Sequence, residues 1–119
     1  MSWLRACGFV LATLLAVQAQ AHVFFDHAEP RVGSTVSVAP TQVKLWFSEA
    51  IEPASSTVLV MDSKGQRVDK GDAHVDPVAH ELMRVSLGAL GSGEYMVVWR
   101  AKSPDGHFTN GDFVFRVGQ

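Results

Sequence analysis

Glu94-Tyr95-Met96-Val97-Val98-Trp99-Arg100-Ala101 is the stretch that decides how this chain folds. Side chains alternate faces along an extended backbone, so Tyr95, Val97 and Trp99 fall on one side and Met96, Val98 and Arg100 on the other. A period of two carried by aromatic and β-branched residues predicts a strand with one face in a core. Gly91-Ser92-Gly93 supplies the turn that leads into it. Outward from this strand the same pattern recurs. Phe113, Phe115 and Val117 form a last inward face, and residues 42–47 place Val43, Leu45 and Phe47 opposite Lys44 and Trp46. A strand over 57–61 ends at the turn-like Asp62-Ser63-Lys64-Gly65, with a short strand over 67–69 returning from it. Met83, Val85 and Leu87 share another face, and 23–27 forms a first strand that Pro30 and Gly33 interrupt.

Every long window contains Pro, Gly or β-branched clusters, so no segment supports a helix. Residues 71–79 read as a surface loop. About seven strands in so short a chain predict an all-β domain, a two-sheet sandwich of immunoglobulin-like size whose apolar faces cover each other. Trp46 and Trp99 read as fillers of that core. The full length of 119 residues is enough for one domain and too little for two.

The domain does not begin at Met1. Residues 1–21 carry a single charge, Arg5, then an apolar run over 6–17, and end Ala19-Gln20-Ala21. That is the layout of a signal peptide with an A-x-A cleavage site, and the run is shorter than the ~20 residues that span a bilayer. Cleavage after Ala21 leaves 22–119 as the exported domain in an oxidising compartment, not embedded in the membrane. Arg5 leaves with the segment, so the formal charge moves from −2 to −3. Without a basic surface, nucleic acid is excluded as a partner. The single cysteine, Cys7, also leaves, so no disulfide or thiolate ligand remains. No P-loop, G-x-S-x-G, H-E-x-x-H or C-x-x-C pattern occurs, which removes most of the usual hydrolase chemistry.

What remains is metal chemistry. A histidine at a free N-terminus offers a metal both its α-amine and its ring nitrogen. The predicted cut puts His22 there. Near the other end, Asp105 and His107 are spaced i, i+2 and share a face if the segment is extended. Together they supply two imidazoles, an amine and a carboxylate. Such nitrogen-rich N/O coordination suits Cu(II), with zinc as the rival. Asp26 and His27 are adjacent and are expected on opposite faces of a strand. His74 and His80 fall in a polar, solvent-exposed loop, so none of His27, His74 and His80 is given a ligand role.

His22-Val23-Phe24-Phe25, Pro30, Val43 to Glu49 with its Phe47-Ser48-Glu49, and Gly93 through Trp99-Arg100 to Ser103-Pro104-Asp105-Gly106-His107 and Gly111 together resemble the CopC family of periplasmic copper-binding proteins. The resemblance runs from His22 to Val117. It implies a Greek-key β-sandwich in the periplasm, not an enzyme, that binds one Cu(II) per chain. His22 would give amine and ring, with Asp105 and His107 completing the site. Glu49 matches a glutamate that lies close to copper in some members, and it is expected to orient a ligand or hydrogen-bond the N-terminus. The implied function is copper sequestration, resistance or delivery to a CopD-like inner-membrane copper transport protein. Two features depart from the family. Met61, Met83 and Met96 are scattered, so no dedicated Cu(I) site is expected, and Phe108 replaces the proline that commonly follows the ligand histidine. The alternatives are a copper histidine-brace oxidative enzyme resembling polysaccharide monooxygenases, and a metal-free immunoglobulin-like interaction module.

Overall fold

The computed structural model describes residues 22–118. The signal segment 1–21 and its cleavage after Ala21 lie outside the described residues. Eight strands form: β1 (Phe25–Glu29), β2 (Thr35–Val36), β3 (Gln42–Phe47), β4 (Thr57–Met61), β5 (His74–Val75), β6 (Leu82–Ser86), β7 (Gly93–Lys102) and β8 (Phe108–Val117). They divide into one sheet ordered β1-β3-β6-β5 and a second ordered β2-β8-β7-β4. No helix occurs among the described residues. The architecture is the expected all-β Greek-key sandwich.

Period-two alternation builds its interior. Val43, Leu45 and Phe47 of β3 and Met83 and Val85 of β6 face Val58 and Val60 of β4, Tyr95, Val97 and Trp99 of β7 and Phe113 and Phe115 of β8, all buried in one cluster. Removing such side chains from water is the main stabilising term, roughly 1.5–3 kcal/mol for each large one. The longest ladder joins β7 to β8 through ten paired residues, from Gly93 opposite Val117 to Lys102 opposite Phe108. Tyr95 anchors the entry to this ladder by donating its hydroxyl to the Gly91 carbonyl, 2.7 Å away.

Four expectations need correction. Residues 71–79 are not all loop, because His74 and Val75 form β5 and pair with Arg84 and Met83 of β6. The short strand over 67–69 is reduced to two isolated bridges, Met61 with Arg67 and Asp69 with Leu87. Trp99 is buried, but Trp46 faces outward and stacks on the His27 ring, with centroids 4.4 Å apart and planes at 7°. Asp26 and His27 do not point apart. A register irregularity between Phe25 and His27 turns Asp26 so that its carboxylate lies 2.7 Å from His27 Nδ1.

Gly111 sits opposite Trp99, and a Cβ there would stand 2.7 Å from the indole Cζ2. Gly111→Ala should therefore cost about 1–3 kcal/mol through forced displacement of the ring. Urea unfolding followed by tryptophan fluorescence measures this loss.

Asp69 closes the turn after β4. Its carboxylate accepts from the Val60 and Gly71 amides at 2.9 and 3.0 Å and from Arg67 Nη2 at 2.7 Å. Burial pushes the carboxyl up, but these hydrogen bonds and the guanidinium outweigh it and hold Asp69 below the usual carboxylate range. A depressed folded value means the stabilisation is present above the unfolded value and is lost as pH falls through the folded one. Asp69→Asn should accordingly be less stable than the native chain near neutrality, with the gap narrowing in acid, as read by urea unfolding across pH.

Candidate metal centre

The five residues between β7 and β8 form a tight hairpin loop organised by Ser103. Its amide donates to the His107 carbonyl at 2.8 Å, and Gly106 donates back to the Ser103 carbonyl at 2.9 Å. The His107 amide in turn reaches Ser103 Oγ at 3.2 Å. Gly106 takes φ +91°, a conformation open to glycine, which lets the chain reverse in so few residues. The Ser103 hydroxyl also bonds the Asp105 carboxylate. Ser103 itself is only 2% exposed. A buried hydroxyl with loop partners on both sides is a fixed post from which Asp105 and His107 project.

Asp105 and His107 meet. The Asp105 Oδ2 lies 3.1 Å from His107 Nδ1, with both side chains about half exposed. The Ser103 hydroxyl is the main influence holding the Asp105 carboxyl below its usual range; burial opposes it, and the His107 amide and ring add to it. With Nδ1 facing a carboxylate, Nε2 is the nitrogen open to a ligand, the arrangement in which a carboxylate orients a metal-binding imidazole.

The other end of the described chain arrives at the same place. Phe24 donates its amide to Ser48 Oγ and accepts from the Ser48 amide at its carbonyl, both at 2.8 Å. This two-point tie fixes residues 22–24 against the end of β3. Val23 is buried beneath it at 1% exposure, while Phe24 packs edge-on to the His22 ring. The His22 and His107 ring centroids stand 6.1 Å apart. A metal bound at about 2.0–2.1 Å from a ring nitrogen lies about 3 Å from that ring's centroid. Two rings at this separation can therefore reach one ion between them. Among the described residues, no three His, Cys, Asp or Glu side chains already stand as a closed metal cage. In the uncut chain the His22 nitrogen is an amide, and Asp105 is engaged with Ser103 and His107.

Glu49 is exposed beside Ser48, one residue from the tie that holds the His22 segment. The remaining histidines lie elsewhere: His27 on Trp46, His74 with Nδ1 on the Asp72 carbonyl, and His80 with Nε2 on the Pro77 carbonyl. Met83 is core, whereas Met61 and Met96 are cross-strand neighbours on an outer face. Ser48 and Ser103 are site residues that donor chemistry alone does not single out. The available signal was positional: a serine at the start of a Ser-Pro-Asp-Gly-His turn, and another where β3 stops, are both placed to bond backbone groups.

The fold and this gathering of His22, Asp105 and His107 define a two-sheet sandwich with a candidate metal centre at one end of its sheets. A description of the CopC domain matches residues 25–118, and the chain belongs to the CopC family. It is 32% identical over 100 residues to the copper transport protein CutJ of Bacillus subtilis, covering 83% of this chain but only 18% of that longer protein. It is 28% identical over 113 residues to protein YobA of Escherichia coli K12, covering 94% of this chain and 91% of the relative. Among solved structures, CopC from Methylosinus trichosporium OB3b superposes with a TM-score of 0.75 at 33% identity, over 81% of this chain and 93% of that one. PcoC, a methionine-rich copper resistance protein from Escherichia coli, gives 0.70 at 30% identity, over 82% and 100%.

Ser103→Ala should raise the Asp105 carboxyl toward the ordinary range and cost about 1–3 kcal/mol of stability, since it leaves loop groups without their partner. Carbon-detected NMR titration of Asp105 together with urea unfolding checks both. An unchanged titration would mean that the hydroxyl does not hold the carboxylate.

Proposed function

We propose that the chain is exported to the periplasm, is cut after Ala21, and binds one Cu(II) through the amine and ring of His22 with His107 and Asp105. The role is carriage and not catalysis: copper is held for sequestration, resistance or delivery to a CopD-like inner-membrane copper transport protein. The observation that carries this reading is the 6.1 Å approach of the His22 and His107 rings, with Asp105 hydrogen-bonded to His107. Membership of the CopC family and the copper-related names of relatives support the choice of metal.

The chemistry follows from the donors. Cleavage turns the His22 amide nitrogen, a poor ligand, into an amine that closes a chelate with its own ring. Nitrogen donors with one carboxylate suit Cu(II), and the negative charge of Asp105 favours the divalent ion. Glu49, beside the Ser48 tie, orients the N-terminus.

Equimolar Cu(II) added to the exported domain should give a type-2 electron paramagnetic spectrum with coupling to several nitrogens. Adding one residue before His22 should abolish that spectrum and most of the affinity; retention of both would contradict the site. Protons compete with copper for an α-amine and imidazoles, whose ordinary values are about 8 and 6.5. Apparent affinity should fall by about tenfold per pH unit while only the amine competes, and more steeply once the imidazoles protonate. Competition titrations between pH 5 and 8 measure it, and a flat profile would count against the amine.

A further inference from the structure

Phe108 opens β8 directly after His107, and it is 43% exposed on the outer face of its sheet. Two cations cover its ring. Arg100 Cζ stands 3.8 Å from the ring centroid and Lys102 Nζ 5.5 Å. Both fall within the ~6 Å reach of a cation–π interaction. Register explains the meeting: Phe108 lies directly opposite Lys102 in the β7–β8 ladder, and Arg100 is its diagonal neighbour on the same face. Lys102 is also drawn toward Glu52, 3.6 Å away, whereas Arg100 has no carboxylate partner among the described residues. The Phe108 ring is the contact its guanidinium makes.

This clamp sits on a rung that backbone hydrogen bonds do not hold. The Ser103 amide donates to the His107 carbonyl, which makes Ser103 and His107 a hydrogen-bonded rung. Rungs alternate in an antiparallel pair, so Lys102 with Phe108 is a non-hydrogen-bonded one, the kind in which side chains approach closest. The Lys102 backbone agrees. Its amide donates to Ser56 Oγ at 3.0 Å and its carbonyl accepts from the Glu52 amide at 2.8 Å, which turns both toward other partners than β8. Side chains therefore fasten the rung that adjoins the 103–107 loop.

We propose that Phe108 and Arg100 are positioning residues for the candidate copper centre. The guanidinium holds the ring on the last rung, and that rung holds His107 where it meets Asp105 and approaches His22. The inference rests on the copper reading above and adds the part of the fold that orders the loop before any metal is bound. A loop already in order loses less freedom on binding, and the difference appears as tighter binding. The same geometry supplies its own rescue. The ladder does not need the Phe108 amide, and Phe108 is the first residue of β8, a place where proline is tolerated. Proline there would fix φ covalently and make Arg100 dispensable.

Two readouts test this, one of them without copper. Amide hydrogen exchange of the metal-free exported domain reads loop order at Ser103 and Gly106, and competition titration against a Cu(II) chelator reads affinity. Phe108→Leu and Arg100→Gln should each speed exchange at both amides and weaken Cu(II) binding by about threefold, the scale of an exposed cation–π contact. Exchange at Val97, in mid-ladder, should not change. The double variant should be no weaker than either single one, because both remove the same contact. Phe108→Tyr should behave as the native chain, and Phe108→Pro should restore native exchange and affinity whether residue 100 is Arg or Gln. Arg100→Gln, at an exposed position, decides if Phe108→Leu does not fold. Native behaviour of both single variants, or additive losses in the double one, would overturn the proposal. A change in only one of the two readouts would also overturn it, since loop order and hold on the metal would then be separate. A native chain that takes up no Cu(II) would bring down the copper reading and the positioning role with it, and exchange alone would then show whether the clamp orders the loop.

Discussion

The ten-residue ladder between β7 and β8 is the constraint on which the rest of this structure depends. Its inward residues, Tyr95, Val97, Trp99, Phe113 and Phe115, supply the largest share of aromatic volume in the core. Its hydrogen-bond register fixes where the chain must reverse, and that reversal is the 103–107 loop. A one-residue slip would turn Trp99 outward and carry Ser103 out of the interior, so core packing and loop geometry hold each other in place. The close fit of Gly111 over the Trp99 indole belongs to the same ladder.

Two serines extend this order to the candidate site. Ser103 works within the hairpin, and Ser48 joins residues 22–24 to the end of β3. Each uses a short side chain to satisfy backbone or carboxylate groups that regular pairing has left behind. Together they bring residues far apart in sequence to one end of the sandwich. Rigid sheets thus position a site made of loop residues, while the loops themselves remain short and exposed.

Much of this was legible before any coordinates. Strands β3 and β4 lie where alternation put them, because their inward positions are uniformly apolar and their ends are marked by turn residues. β7 runs slightly past its expected limits at both ends, since Gly93 and Lys102 still find partners on β8. The two-residue strands β2 and β5 are too short to carry a period and exist only because a longer neighbour offers an edge. Residue type alone weighs Trp46 toward the core, whereas its position in β3 alternates with the buried Leu45 and Phe47 and so faces out. The meeting of Asp26 with His27 was hidden because a bulge is a property of the pair β1–β3 and not of either strand. For the site, residue types suggested His22, Asp105 and His107, and geometry added the serines that hold them.

The proposed copper centre depends on one covalent event, the cut that would give His22 a free amine. The intact mass of the chain recovered from the periplasm tests it most directly. The predicted result is a single species beginning at His22; a species beginning at any other residue would contradict the proposed copper centre.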